Sequence, residues 1–256
     1  MKIEGEINPD NGNNTNLNVL NLKILILIPL LFLAVLAFST DDSAAADIYV
    51  NASGWNDANN GLSPATAKLT VKNATATVTS GSTVHIANGV YKGPGNRGIT
   101  INKTMNIIGQ SQTGTIIDAE KKNRIFLIIS GVRVTIGNLT LTNGTTSANG
   151  GAILNNGNLT IITSTFKGNS AHNTVLADHR GGGGAISNGG YMTVTGSTFT
   201  GNSANNGHFG QDNGNGGAIR NVRVLNVYSS IFSGNSAHNV HVTGNDTNNN
   251  GGGGAI

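Results

Sequence analysis

From about residue 83 onward the chain alternates short apolar segments with Thr, Ser or Asn, and Gly or Asn stands between the segments. Alternation at a two-residue period marks strands with one face turned inward and one outward. Residues 83–87, 99–101, 105–108, 115–117, 125–129, 132–136 and 139–141 are read as strands in this way, with Asn88-Gly89, Gly109 and Asn143-Gly144 as the breaks between them. Asn-Gly and Gly-Gly pairs supply the positive φ that tight corners require. Ahead of these strands, Ser63 followed by Pro64 predicts an N-cap with proline at the first helical position, and a short helix over 65–78. Such a helix would cover the open end of the first coil, with Trp55 packed under it.

Downstream the pattern becomes periodic. Gly150-Gly151-Ala152-Ile153 recurs as Gly183-Gly184-Ala185-Ile186, Gly216-Gly217-Ala218-Ile219 and Gly253-Gly254-Ala255-Ile256, at spacings of 33, 33 and 37. Six residues after each of the first three Ile residues comes Leu159-Thr160-Ile161, Met192-Thr193-Val194 or Leu225-Asn226-Val227. Five residues further stands Phe166, Phe199 or Phe232, each opening Phe-x-Gly-Asn-Ser-Ala. A unit of three short strands cannot bury its apolar face alone, whereas units stacked in register can. An all-β parallel solenoid is therefore predicted. Residues 33 apart should lie over one another: Ile153, Ile186 and Ile219 in one inner stack, Phe166, Phe199 and Phe232 in another. Asn169, Asn202 and Asn235 share a corner and are expected to pass side-chain amide hydrogen bonds up the stack. The segments 172–182, 205–215 and 238–252 vary in length, are rich in Gly, Asn and His, and read as loops leaving one edge.

The apolar run 24–38 is 15 residues long, broken only by Pro29, preceded by Lys23 and followed by a polar stretch ending in Ala44-Ala45-Ala46. This is the pattern of a secretory signal cleaved after Ala46. A retained membrane anchor is the alternative, but a span needs about 20 residues. Residues 1–22 form an Asn-rich leader, which a true start near Leu20 would remove. The expected organisation is leader and signal over 1–46, an N-terminal cap over 47–81, degenerate coils over 82–149 and regular repeats over 150–256. Because the last four residues open a new unit, a longer version with more coils is expected.

Composition sharpens this picture. The 256 residues include 37 Gly and 39 Asn, near 30% of the chain, which the repeat assigns to corners, ladders and loops. With no Cys, 11% charged residues and 5% aromatics, a disulfide scaffold, a zinc or iron–sulfur site and a coiled coil are excluded. From residue 47 onward 7 Lys and 6 Arg stand against 6 Asp and 1 Glu, a net +6. The charges are scattered with no basic stripe of interleaved aromatics, so nucleic-acid binding is not expected.

Glycosidic hydrolysis needs two carboxylates about 5 to 10 Å apart, and no acid here is followed by another on the same strand face. Asp118 and Glu120, with Lys121, Lys122 and Arg124, are read as a solvated turn. Asp178, Asp212 and Asp246 recur 34 apart within the variable loops. They are metal candidates for Ca²⁺ with Asn carbonyls, though solubilising loop charges explain them more simply, and no cofactor is expected. His172 and His238 share a register broken by Asn205, which disfavours a metal row. Asn51, Asn73, Asn102, Asn143 and Asn245 stand in Asn-x-Ser/Thr and are candidate glycosylation sites. Asn138 and Asn158 also fit the motif, but their place beside strands is expected to block modification.

The Gly-Gly-Ala-Ile and Phe-x-Gly-Asn motifs resemble the repeats of polymorphic outer-membrane proteins and of large adhesin-like surface proteins of archaea. Residues 49–92, with Gly61-Leu62-Ser63-Pro64-Ala65-Thr66-Ala67 and the run 81–91, are similar to the entry of pectin-lyase-like β-helices. The resemblance spans 47–256 and implies a right-handed single-stranded parallel β-helix at the cell surface. The leading expectation is a non-enzymatic adhesin-like protein that displays its loops to cell-surface glycans or proteins, touching the membrane only if the N-terminal segment is uncleaved. A carbohydrate-active enzyme on the same scaffold and a structural envelope component are the alternatives.

Overall fold

The computed structural model describes residues 46–54, 56–173, 182–206, 216–239 and 254–256. Apart from Ile48–Val50 and Thr83–Ile86, which pair with each other, strands that follow one another in the chain enter different sheets, and within each sheet every pairing is parallel. The first sheet has seven strands, ordered Ile48–Val50, Thr83–Ile86, Met105–Gly109, Arg133–Gly137, Asn158–Ile162, Tyr191–Thr195 and Val224–Tyr228. The second has six, ordered Gly89–Tyr91, Thr115–Asp118, Thr140–Thr142, Thr165–Lys167, Thr198–Thr200 and Ile231–Ser233. The third has five, Ile99–Ile101, Phe126–Ile128, Ile153–Asn155, Ile186–Asn188 and Ile219–Asn221. The fourth has four, Thr145–Thr146, Ser170–Asn173, Ser203–Asn206 and Ser236–Asn239. Because each sheet collects one strand from each successive pass of the chain, the fold is a parallel β-helix.

The fourth sheet corrects the three-strand unit predicted from the repeat. Ser170–Asn173 and its partners carry only small or polar side chains, so apolar alternation does not reveal them; the chain turns back onto the stack at Gly168, with φ +62°, and Asn169 holds that corner by bonding to Asn202. The segments read as loops from His172, Asn205 and His238 onward therefore begin inside strands.

The core is built from inward rows. Ile153, Ile186 and Ile219 pair in register, and Phe166, Phe199 and Phe232 stack with ring centroids 4.7 and 4.8 Å apart and planes within 4°. Upstream, the phenylalanine row continues through Leu141 and Ile117 to Tyr91. Burial pushes the Tyr91 phenol up to about 12, and its hydroxyl donates to the carbonyls of Ala87 and Val50. Most inward side chains are fully buried as far as Ile219, whereas Leu225, Val227 and Phe232 of the last described pass are half-buried.

The segment expected to be one helix over 65–78 divides in two. Pro64–Thr66 forms a single 3₁₀ turn and Val71–Thr77 an α-helix whose N-cap is Thr70, not Ser63. Between them the chain must be extended, because Lys68 bridges Val50 in parallel and donates its N–H to the Tyr49 carbonyl. Asp57 then positions the cap: its carboxylate accepts the N–H groups of Leu69 and Thr70 and the Thr70 hydroxyl, while Thr70 Oγ1 accepts from the Asn73 N–H at 3.3 Å. The helix buries Val71, Ala74 and Thr75 and packs against Ile48–Val50 and Thr83–Ile86, the first strands of the stack. Trp55 and the segment 1–45 lie outside the described residues.

Candidate interaction edge

The edge that carries the variable segments is formed by the fourth sheet, where each segment leaves, and by the Gly-Gly-Ala-Ile corners, where it returns. The glycines there are required by close approach. A Cβ on Gly151 would lie 2.2 Å from the Gly184 carbonyl oxygen, and Gly183 also needs φ +71°. This closeness lets the corners bond to one another: Ala152 N–H donates to Ala185 O at 2.8 Å, Ala185 to Ala218 at 2.9 Å and Ala218 to Ala255 at 3.2 Å. The opening of the fourth copy thus sits in register beneath the third.

Asparagines hold the corner before the fourth sheet. Asn169 Nδ2 donates to Asn202 Oδ1 at 3.0 Å, and Asn202 Nδ2 to Asn235 Oδ1 at 2.9 Å. The same oxygens accept the backbone N–H groups of Asn169 and Asn202, both at 3.0 Å. A second ladder was not read from the sequence: Asn155 Nδ2 donates to Asn188 Oδ1 and Asn188 Nδ2 to Asn221 Oδ1, both at 2.7 Å. Its signal was present, since each of these asparagines follows a Gly-Gly-Ala-Ile isoleucine by two residues. Two ladders on either side of the variable segments make the edge stiff.

On the fourth sheet, Ser170, Ser203 and Ser236 form one row and His172, Asn205 and His238 the next. Ser170 Oγ lies 2.9 Å from Ser203 Oγ and 3.1 Å from His172 Nδ1, and His172 Nε2 lies 3.1 Å from Thr145 Oγ1. Hydroxyl, imidazole and amide groups thus alternate along the strands from which the segments depart. Asp178, Asp212 and Asp246 lie outside the described residues, and so does Asn245. Among the described residues no three His, Asp or Glu side chains converge on a point where a metal ion could sit.

The charged turn at 118–124 is solvent-exposed at Lys121 and Lys122, as expected, but its carboxylates and Arg124 also make structural contacts. Glu120 accepts the Gly93 N–H and pairs with Arg97, and these two contacts, in that order, hold its carboxyl below the usual range. Asp118 accepts from the Glu120 N–H and from Asn143 Nδ2, both at 2.9 Å, with Lys92 Nζ at 3.7 Å. Arg124 donates to the carbonyls of Gly150 and Asn149, and burial lowers its pKa. The two carboxylates are committed to joining neighbouring coils, and Arg124 ties the turn to the first Gly-Gly-Ala-Ile corner.

Among the glycosylation candidates, Asn73 and Asn102 are exposed and Asn51 is half-buried. Asn143 is half-buried with its amide occupied by Asp118. Asn138 and Asn158, set aside as blocked, are both exposed: Asn138 turns at φ +54°, and Asn158 points outward from its strand.

A cleft at the other end of the stack escaped the sequence altogether. About 370 Å³ in volume, it is lined by Tyr49, Asn51, Pro64, Ala67, His85, Ile108 and Gln110 among others. The Tyr49 and His85 rings stack with centroids 5.0 Å apart. His85 Nε2 lies 2.8 Å from Asp47 Oδ2, and Asp47 Oδ1 accepts the Thr83 N–H. The His85 bond first and the Thr83 bond second lower the Asp47 pKa. Residues 38 apart meet here because this coil runs 36 residues from strand to strand against 33 in the regular repeats, so their period does not point to them.

These features define a parallel β-helix that carries variable insertions on one stiff edge. Residues 163–189 match the model of the Chlamydia polymorphic membrane protein repeat, so the chain contains a repeat similar to those of that family. The matched stretch includes Phe166, Asn169 and the corner 183–186, the positions that form the aromatic stack, the ladder and the inter-coil bonds. No curated protein and no solved structure matches the chain.

Proposed function

We propose that this chain is a non-enzymatic, adhesin-like cell-surface protein whose right-handed solenoid presents its variable edge to a glycan or protein partner. The observation that carries this reading is geometric. Strands leaving at Asn173, Asn206 and Asn239 and strands returning at Ile186 and Ile219 stack in register, so segments of different sequence, the third four residues longer than the other two, start and end at one place on successive coils. A rigid frame with variable inserts suits recognition. Similarity to a membrane-protein repeat supports surface exposure, and the apolar run 24–38 provides a route for export. The helix Val71–Thr77, packed on the first strands, serves as the N-terminal cap. Candidate glycosylation sites accord with this location.

Two measurements on the mature chain test the reading. Binding to whole cells or to an array of glycans and proteins is expected, and replacing the three variable segments by Gly-Ser linkers should abolish it. Release of products from pectin-like or other polysaccharides, lost on changing a single Asp, would instead establish the carbohydrate-active enzyme. Neither binding nor turnover would leave a structural envelope component.

A further inference from the structure

The outward face of the seven-stranded sheet is not the edge that carries the variable segments, and its chemistry is of a different kind. Its middle row is hydroxyl and amide throughout: Thr83, Asn106, Thr135, Thr160, Thr193 and Asn226 follow one another in register. Beside it, Arg133 pairs with Asn158 and Asn158 with Tyr191. The Arg223 guanidinium then lies 5.9 Å from the Tyr191 ring centroid. All four of these side chains are exposed, Tyr191 at 53%. The backbones of the two arginines are three strand spacings apart along the stack, about 14 Å at about 4.8 Å each.

Asp47, bonded to His85 and to the Thr83 N–H, lies at the first strands of this face, but from Met105–Gly109 to Val224–Tyr228 its charge has one sign. None of the seven strands contains Asp or Glu, and among the described residues neither Arg133 nor Arg223 has a carboxylate partner. Holding exposed guanidinium groups without counter-charges beside an exposed tyrosine does nothing for the core, which lies on the other side of the sheet. It does match a ligand with three properties. Acid groups would meet the guanidinium forks. A ring with an apolar face would meet Tyr191. Hydroxyls would meet a row of Thr and Asn that repeats at each coil.

We propose that the strip Arg133–Asn158–Tyr191–Arg223 binds an acidic glycan laid along the solenoid axis. Arg133 and Arg223 take its acid groups, Tyr191 contacts a sugar ring, and Asn158 with Thr160 and Thr193 receives its hydroxyls. The site is independent of the variable edge and does not require that edge to bind anything.

The test uses the full chain against four immobilised polymers at physiological salt: hyaluronate and dextran sulfate as carboxylate and sulfate glycans, dextran as a neutral glycan, and polyglutamate as a polyanion without sugar. Binding to at least one acidic glycan is expected, with dextran and polyglutamate at least tenfold weaker. The double variant Arg133→Gln/Arg223→Gln should lose at least tenfold in affinity and Tyr191→Ala several-fold, both with unchanged urea midpoints because the side chains are exposed. Changing both arginines to Lys should recover part of the loss, since charge is kept and the fork is lost. Failure of both acidic glycans to bind, equal binding of dextran or polyglutamate, or undiminished binding by the glutamine variant would each overturn the proposal. Replacing the variable segments should leave this binding intact, so its fate is separate from that of the edge.

Discussion

The central rung of the corner ladder offers a quantitative test of what holds these coils together. Asn202 is fully buried; its Oδ1 accepts from Asn169 N–H and Nδ2, and its Nδ2 donates to the Phe166 carbonyl and to Asn235 Oδ1. In Asn202→Ala the Asn169 N–H is left buried without an acceptor and the Phe166 carbonyl loses its side-chain donor. Asn169 Nδ2 keeps its bond to the Leu141 carbonyl at 3.1 Å and is not orphaned. At about 1–3 kcal/mol for the buried N–H left unpaired and about 0.5–1.5 kcal/mol for the hydrogen bond lost at the carbonyl, the two losses amount to about 1.5–4.5 kcal/mol. Asn235 makes equivalent bonds but is half-exposed, so water can replace them and Asn235→Ala should cost no more than about 1–2 kcal/mol. Urea unfolding followed by far-UV circular dichroism measures both variants. Because stacked coils can open in stages, amide hydrogen exchange at Asn169 provides the local readout and should accelerate strongly in Asn202→Ala alone. Equal costs for the two variants, or less than about 1 kcal/mol for Asn202→Ala, would refute the assignment of the ladder as a main stabiliser of the corner.

Three further outcomes follow from the same geometry. Phe199→Ala removes the middle ring of the aromatic stack, which is fully buried. It should cost about 3–5 kcal/mol by chemical denaturation, with Phe232→Ala clearly less because that ring is half-buried. Gly184→Ala would drive a Cβ to 2.3 Å from the Gly217 carbonyl, whereas Gly201→Ala meets nothing within 4 Å and bears only the strain of φ +60°. The first should prevent regular stacking, seen as lost cooperativity in thermal melts, and the second should cost about 1–2 kcal/mol. Asp47 and Glu120 both have folded pKa values below their ordinary ones. Their contributions are therefore complete above the unfolded values near about 4 and disappear as pH falls through the lower folded values. The urea midpoint should drop below about pH 4, less steeply in Glu120→Gln.

How much of this was legible depended on the length of each coil. From Asn158 to Tyr191 and on to Val224 the pitch is 33 residues, so the isoleucine, phenylalanine and Asn169-type rows could be read by aligning the chain with itself. Upstream the register partners are 25 residues apart at Val134 and Leu159, 29 at Met105 and Val134, and 23 at Val84 and Ile107. With no constant offset, Leu141, Ile117 and Tyr91 could not be recognised as the continuation of the phenylalanine row. Most of the strands themselves were still evident, because alternation of apolar and polar residues is local and needs no period. Ile48–Val50 was missed because its three apolar residues do not alternate with polar ones, Gly89–Tyr91 because it starts within the Asn88-Gly89 break, and Ser170–Asn173 for want of apolar side chains. The helix start was misplaced because Ser63-Pro64 is a sound local signal overridden by the bridge of Lys68 to Val50.

By itself the sequence determined that the chain stacks in parallel coils, that the isoleucine and phenylalanine rows from residue 150 onward face inward, and where Gly and the Asn169-type residues hold the corners. Each of these follows from short-range periodicity, which strand geometry converts directly into position. Tertiary structure alone decided what meets across coils of unequal length. It placed Asp47 on His85, Glu120 on Arg97 and Asn143 on Asp118. It also lined up Arg133, Asn158, Tyr191 and Arg223 along strands that carry no carboxylate. The reason is physical: hydrogen bonding between neighbouring strands fixes which side chains become neighbours, and the number of residues in each intervening turn sets that register.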